Sequence, residues 1–280
     1  MVVWAAMMAL TLYAAFSRRT VDRRTLHRII WVGGSVVPTV VVAALLFFGL
    51  RPLPRLLDAG PEDAVAIHVS GEQWWWRVEY RLPTGERFTL ANEIRLPTGA
   101  RTRLLLSSPD VIHSFWVPSL AGKMDMIPGR TTYLGLEPTQ PGTYYGVCAE
   151  YCGSAHTQMQ FRVVVMEPAA FARWMAKQAR PALAPMSTTA RRGEALFRGL
   201  GCGACHLVRG TSSVGVLGPD LTHVGSRRSL GAGILGNDVD DFARWLTATG
   251  ELKPGVHMPT FSMLSAREIE ALAHYLESLQ

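Results

Sequence analysis

The sequence predicts a membrane-anchored chain of several domains: an apolar helical hairpin first, then an all-β sandwich or barrel, then a further part beyond a linker. Three observations predict it. Residues 29–50 run IIWVGGSVVPTVVVAALLFFGL without a charge, residues 64–166 break into short β-branched and aromatic runs between Gly and Pro, and KQARPALAPMSTTA (177–190) has proline and alanine but no apolar period. With 280 residues the chain has room for about two domains with cores of their own. At 48% hydrophobic and 18% charged residues it is too apolar for disorder.

The formal charge of +6 does not point to nucleic acid. Residues 1–60 hold seven arginines against two aspartates, the linker adds Lys177 and Arg180, and residues 186–280 hold nine basic and nine acidic residues. Basicity is therefore confined to the N-terminus and the linker, and no folded segment carries the basic face that nucleic acid needs.

The run Ile29–Leu50, as a helix of 22 residues, spans about 33 Å against a hydrocarbon core of about 30 Å. Gly33, Gly34 and Pro38 are tolerated in such a helix, where small residues let a neighbouring helix approach. Met1–Phe16 is also free of charge but reaches only about 24 Å. A signal peptide carries its positive charges before its apolar run, whereas Arg18, Arg19, Arg23, Arg24 and Arg28 follow this one. Met1–Phe16 therefore reads as a first, short helix. Five arginines in the loop between two apolar runs place that loop in the cytoplasm and everything after Leu50 on the other side.

Beyond Pro54 the expected strands fall at Ala64–Leu82, Arg101–Ser107, Val111–Val117, Thr131–Leu136, Gly142–Val147 and Gln160–Met166. Near their end VCAEYCGSAHTQM places Cys148, Cys152, His156 and Met159 at spacings of four, four and three. Two nearby cysteines in an oxidising compartment ordinarily form a disulfide. Thiolates, an imidazole and a thioether crowded together are instead a soft ligand set of the kind that selects copper, since zinc seldom recruits Met. A second imidazole stands at His113, in HSFWVPSL.

EQWWWRVEY (72–80), SSPDVIHSFWVPSLAGKMDMIPGR (107–130) and PGTYYGVCAEYCGSAHTQM (141–159) together resemble the periplasmic domain of subunit II of haem–copper cytochrome c oxidase. The resemblance covers roughly residues 1–170 and implies two membrane helices followed by a cupredoxin-like domain. It also implies a mixed-valence dinuclear CuA centre. Cys148 and Cys152 would bridge both coppers, His113 and His156 would bind one each, and Met159 and the Glu150 main-chain carbonyl would be weak ligands. The Glu150 side chain would face subunit I and help hold magnesium, a hard cation suited to carboxylate oxygen. Trp74, the first aromatic residue after Gln73, would be the point where electrons enter.

After the linker comes GCGACHLV, and C-x-x-C-H is the attachment site of c-type haem: thioethers from Cys202 and Cys205, iron on His206. All four cysteines are thereby assigned to metal centres. HMPTFSML offers His257, Met258 and Met263 for the other side of the iron. Met258, a Met–Pro shortly before the last helix, resembles the axial ligand of an all-α class I cytochrome c domain, and Met263 is its rival. GPDLTHVGSR (218–227) matches cytochrome modules appended to some oxidase subunits II, with no ligand role for His223. His27, His68 and His274 read as structural or solvated. A capping box, Ser265 and Glu268, opens a last helix that puts Ile269, Leu272, Leu276 and Leu279 on one face.

The resemblance as a whole is to subunit II of a caa-type oxidase in a bacterial inner membrane. The expected division is 1–55 for the helices and their loop, 61–168 for the CuA domain, 169–187 for a helix end and linker, and 188–280 for the cytochrome c domain. Electrons would pass from cytochrome c or another donor to haem c, to CuA, and on to subunit I within a set of membrane subunits. The chain has no cluster of membrane histidines, so reduction of oxygen to water would belong to subunit I. Two rivals share the ligand set: the CuA-bearing subunit of a nitric oxide reductase, and a membrane-anchored electron carrier with no catalytic partner.

Overall fold

A computed structural model describes every residue except 18–19, 55–57, 59, 61–65 and 83. Arg18 and Arg19 of the basic loop, and the start of the Ala64–Leu82 run, lie outside the described residues. The chain forms two compact units, residues 1–56 and 57–280.

The first unit contains α1 (Val2–Phe16) and α2 (Arg23–Leu50). Among the described residues only α2, with 28 residues, is long and apolar enough to cross a membrane. Asp22 opens it by accepting the backbone N–H groups of Arg24 and Thr25. Its turns widen to the π type over Ile29–Val36, upstream of Pro38, whose missing N–H interrupts the regular ladder. Every described side chain of α2 is exposed, as in a helix that hydrocarbon covers.

Among the described residues of the second unit, ten strands form two five-stranded sheets. One runs in the order β3 (Arg87–Ala91), β2 (Trp75–Arg81), β1 (Ala66–Glu72), β5 (Thr102–Ser107), β8 (Thr132–Leu136). The other is β4 (Glu93–Pro97), β10 (Gln160–Met166), β9 (Gly142–Cys148), β6 (His113–Trp116), β7 (Met124–Met126). The expected run Ala64–Leu82 is two strands, folded back at Gln73 and Trp74 so that Glu72 pairs with Trp75. Strict alternation of burial along β1 and β2 turns Ile67, Val69, Trp76, Val78 and Tyr80 inward. Trp76 packs on Phe161 and Phe115 at ring-centroid distances of 4.8 and 5.8 Å, and Phe161 lies over Gly146, where a Cβ would come within 2.1 Å of the ring. Of the three consecutive tryptophans, Trp74 and Trp76 are buried and Trp75 is half-buried beneath the Arg77 guanidinium.

Helix α3 (Pro168–Gln178) opens on a proline at a position where no N–H is needed. It lays Phe171, Trp174 and Met175 on the sandwich, with Trp174 against Tyr80 and Phe88. Lys177 and Gln178 are thus helical, and Thr188–Ala190 already belong to α4 (Thr188–Gly199), so the linker is shorter than its composition suggests. It is also fastened: Arg209 donates to the Gln178 and Ala179 carbonyls, and His223 Nε2 meets the Arg180 carbonyl at 3.0 Å.

Helices α4, α5 (Val239–Leu252) and α6 (Ala266–Ser278) form a second core. Ser187 caps α4, and Ser265 with Glu268 forms the expected box at α6. Gly193 lets α4 and α6 touch backbone to backbone, since a Cβ there would lie 1.9 Å from the Ala271 carbonyl oxygen. Ile269, Leu272, Leu276 and Leu279 are all buried in this core.

Candidate metal and haem centres

Strand β9 ends on Cys148, strand β6 begins on His113, and the segment between β9 and β10 carries Cys152, His156 and Met159. Main-chain bonds close this segment on itself and on β6: Cys148 N–H donates to the Met159 carbonyl and Ala149 N–H to the Ser114 carbonyl. The donor atoms converge. Cys148 Sγ lies 3.8 Å from Cys152 Sγ, 3.9 Å from His113 Nδ1 and 3.2 Å from the Glu150 carbonyl oxygen. Cys152 Sγ lies 3.5 Å from His156 Nδ1 and 3.8 Å from Met159 Sδ. His113 Nδ1 and both sulfurs fall within 4.8 Å of one another. Both cysteines are free thiols, so the disulfide alternative is absent. Two sulfurs at the centre, each with an imidazole and a weaker donor beside it, suit a pair of soft metal ions.

The electrostatics favour loss of thiol protons. A hydrogen bond from the Cys152 thiol holds Cys148 well below the ordinary thiol range, and the same contact pushes Cys152 up, so the pair gives its first proton readily. Burial pulls His113 down, but Cys148 and Asp110 outweigh it and raise its pKa.

Asp110 escaped the sequence reading. Its carboxylate meets His113 Nε2 at 2.8 Å and accepts the backbone N–H groups of Val111 and Gln73 at 2.6 and 2.7 Å. Burial works to raise its pKa, but these hydrogen bonds together hold the carboxyl below its usual range. An ionised carboxylate only accepts, so the His113 hydrogen sits on Nε2 and Nδ1 is the atom offered to a metal. An aspartate three residues before a histidine in a turn was the available signal. Asp110→Asn is expected to lower copper affinity by roughly 10–100-fold while the sandwich stays folded, measured by competition with a copper chelator.

Trp74, 8% exposed, donates from Nε1 to the Cys152 carbonyl at 2.9 Å, and Gln73 Nε2 donates to the same oxygen at 2.7 Å. The Glu150 side chain points to solvent, 3.9 Å from Lys123 Nζ, while its carbonyl faces Cys148.

At the second site, Cys202 and Cys205 are free and stand on a tight turn that His206 closes by donating its N–H to the Cys202 carbonyl. His206 Nδ1 meets the Pro219 carbonyl at 2.8 Å, which leaves Nε2 for a metal, and burial lowers the pKa of the ring toward the neutral form that ligates. Gly218 lies flat against this ring, where a Cβ would come within 2.6 Å. Residues 214–218 are tied to the turn by Gly215 N–H to Gly203 O and Gly218 N–H to Cys205 O. They present Val214, Val216 and Leu217 as exposed apolar side chains beside the two thiols. The donor set and this open apolar strip fit a covalently attached haem. Met258 packs half-buried against the helical core, whereas Met263 is 76% exposed and His257 is exposed. His68 bonds Ser107 Oγ and His223 is buried on the linker.

Residues 82–167 match the family of the cytochrome c oxidase subunit II periplasmic domain, and residues 190–280 match cytochrome c. Cytochrome c oxidase subunit 2 of Alkalihalophilus pseudofirmus is 35% identical over 244 residues, covering 87% of this chain and 68% of the relative. The chain belongs to the cytochrome c oxidase subunit 2 family. The subunit 2 of Bacillus sp. strain PS3 is 31% identical over 268 residues, with coverage of 90% and 74%. The periplasmic domain of the Bradyrhizobium japonicum subunit II aligns at 30% identity and a TM-score of 0.39, over 42% of this chain and 95% of that one. This oxidase subunit 2 thus joins an apolar N-terminal helix, a cupredoxin-like sandwich and a helical cytochrome c domain. The first match implies CuA and the second haem. The chain is accordingly an electron-transfer component of a membrane-bound oxidase.

Proposed function

We propose that this subunit 2 is the electron relay of a caa-type haem–copper oxidase, between cytochrome c or another external donor and subunit I, where oxygen would be reduced to water. The observation that carries the reading is the convergence of four donor groups on two neighbouring cysteine sulfurs, with the Trp74 indole N–H on the carbonyl of one of those cysteines. His113, Cys148, Glu150 through its carbonyl, Cys152, His156 and Met159 would hold the copper pair. Cys202, Cys205, His206 and Met258 would hold haem c. When bound, these groups supply reversible one-electron chemistry.

The residues of the chain do the positioning. Asp110 fixes the His113 ring, Pro219 and Gly218 fix the His206 ring, and the main-chain bonds around Cys148 hold the ligand segment rigid. A rigid frame limits ligand movement on change of charge, which favours fast electron transfer. Trp74 would be where electrons enter the copper site. The Glu150 carboxylate, exposed 3.9 Å from Lys123 Nζ, would help hold magnesium against subunit I. We read 1–55 as the membrane helices and loop, 61–168 as the CuA domain, 169–187 as the connection and 188–280 as the cytochrome domain. Helices α1 and α2 would both lie in a bacterial inner membrane, with the two metal-bearing domains on the periplasmic or extracellular face.

Purification of the tagged chain from its native membrane tests the assignment. The expected result is a complex containing a haem-rich membrane subunit that consumes oxygen when supplied with a reduced donor. Consumption of nitric oxide but not oxygen would favour the reductase reading. A chain that purifies without a catalytic partner would favour a free-standing carrier.

A further inference from the structure

Lys253, the residue after α5, is 2% exposed although it is a lysine at the end of a surface helix. Its Nζ donates to the carbonyls of Trp74 at 2.6 Å, Gln158 at 3.0 Å and Gly231 at 3.0 Å. An ammonium has three N–H groups, and each has an acceptor here. Burial drags its pKa down to about 7, a cost to the charged form that the three carbonyls offset. Two of the carbonyls belong to the sandwich: Trp74 bonds the Cys152 carbonyl, and Gln158 precedes the ligand Met159. The third belongs to the helical part.

The neighbours of Lys253 reinforce the junction. Gln158 Nε2 donates to the Leu252 carbonyl at 2.8 Å, and Ser154 Oγ to the Pro254 carbonyl at 3.5 Å. Gly255, at φ +83°, sits against the six-membered edge of the Trp74 indole, where a Cβ would lie 2.9 Å from Cζ3 and Cη2. Gly153 approaches the same ring from the ligand segment, with a Cβ position 2.9 Å from Cζ2. The Trp74 indole is therefore clamped between a glycine of the copper-ligand segment and a glycine of the loop that leads to Met258.

We propose that Lys253 is a positioning residue that pins the loop 253–258 of the cytochrome domain onto Trp74, fixing the contact through which the two metal sites communicate and covering Trp74 against soluble donors. The inference rests on the relay reading above. In the step concerned, one electron leaves reduced haem and reduces the oxidised copper pair, and no bond forms or breaks.

The test uses the full chain, purified with its copper and haem. In Lys253→Met, which keeps an unbranched side chain one atom shorter but none of its three hydrogen bonds, amide hydrogen exchange at residues 153–158 and 253–256 should accelerate at least tenfold. Haem-to-copper transfer after photoreduction should slow at least tenfold, while the copper and haem absorption bands stay as in the parent chain. Gly255→Val leaves the lysine in place but wedges the loop from the indole, and should give the same pair of changes. Unchanged exchange and unchanged transfer in both variants would overturn the proposal. Faster exchange with unchanged transfer would also overturn it, because Lys253 would then be a structural clasp only. If the parent chain itself shows no haem-to-copper transfer, the relay reading fails, and the exchange readout still decides whether Lys253 is a latch.

Discussion

Replacing Cys152 by serine will strip the copper pair from this subunit and leave the sandwich folded. Cys152 Sγ is the sulfur that His156 Nδ1 and Met159 Sδ both face, and it lies 3.8 Å from Cys148 Sγ. A serine hydroxyl is a hard donor that keeps its proton, so only the Cys148 thiolate would remain and the soft donor set for a pair of coppers would be broken. The local fold should survive, because Gln73 and Trp74 hold the Cys152 main-chain carbonyl and not its sulfur. The loss of copper affinity should exceed the roughly 10–100-fold that removal of a supporting outer group costs. Copper content by elemental analysis and the mixed-valence absorption are the readouts. A variant that keeps both coppers and the parent spectrum would remove Cys152 from the bridge.

Met258→Leu should change the haem site as sharply without detaching the haem. On this reading the covalent links would be made by Cys202 and Cys205, so denaturing gels should still show a haem-stained chain. Without the thioether the low-spin signature goes, and the midpoint potential should fall by on the order of 100 mV, well inside the ~0.8 V that axial ligation spans. Met258 is packed half-buried in the helical core and Met263 stands exposed, so Met263→Leu should leave both spectrum and potential in place. The reverse pattern would assign the iron to Met263.

The motifs behind the two candidate metal sites could be read because most of each is local in the sequence. Cys148, Cys152, His156 and Met159 fall within twelve residues, and C-x-x-C-H is contiguous. The strands with unbroken apolar alternation were legible for the same reason. Strand β4 was not, because Glu93 and Arg95 interrupt the pattern. Glu93 is nonetheless buried, paired with Arg95 at 2.6 Å and accepting the Arg228 backbone N–H from the helical part at 2.8 Å. A charge that is buried partly by a backbone N–H 135 residues away cannot be told from a surface charge in a sequence. Lys253 was missed on the same ground, since its three acceptors are brought near only by the fold, whereas Asp110 left a local signal three residues before His113 that went unread. The Pro- and Ala-rich composition of 177–190 read only as a linker: Lys177, Gln178 and Thr188–Ala190 are helical, and Arg209 and His223 fasten the residues at its start.

The most direct test of the relay is to inject one electron into the haem of the oxidised full-length chain by photoreduction and follow the haem and copper bands together. The copper band should bleach as the haem reoxidises, at a rate independent of protein concentration. That rate should fall at least tenfold in Trp74→Phe, which removes the indole N–H from the Cys152 carbonyl while the CuA spectrum stays intact. Reduction of the haem by an external donor should depend only weakly on ionic strength, since residues 186–280 carry balanced charge. A copper band that stays oxidised while the haem remains reduced would contradict the relay, and parent-rate transfer in Trp74→Phe would reduce Trp74 to a packing residue.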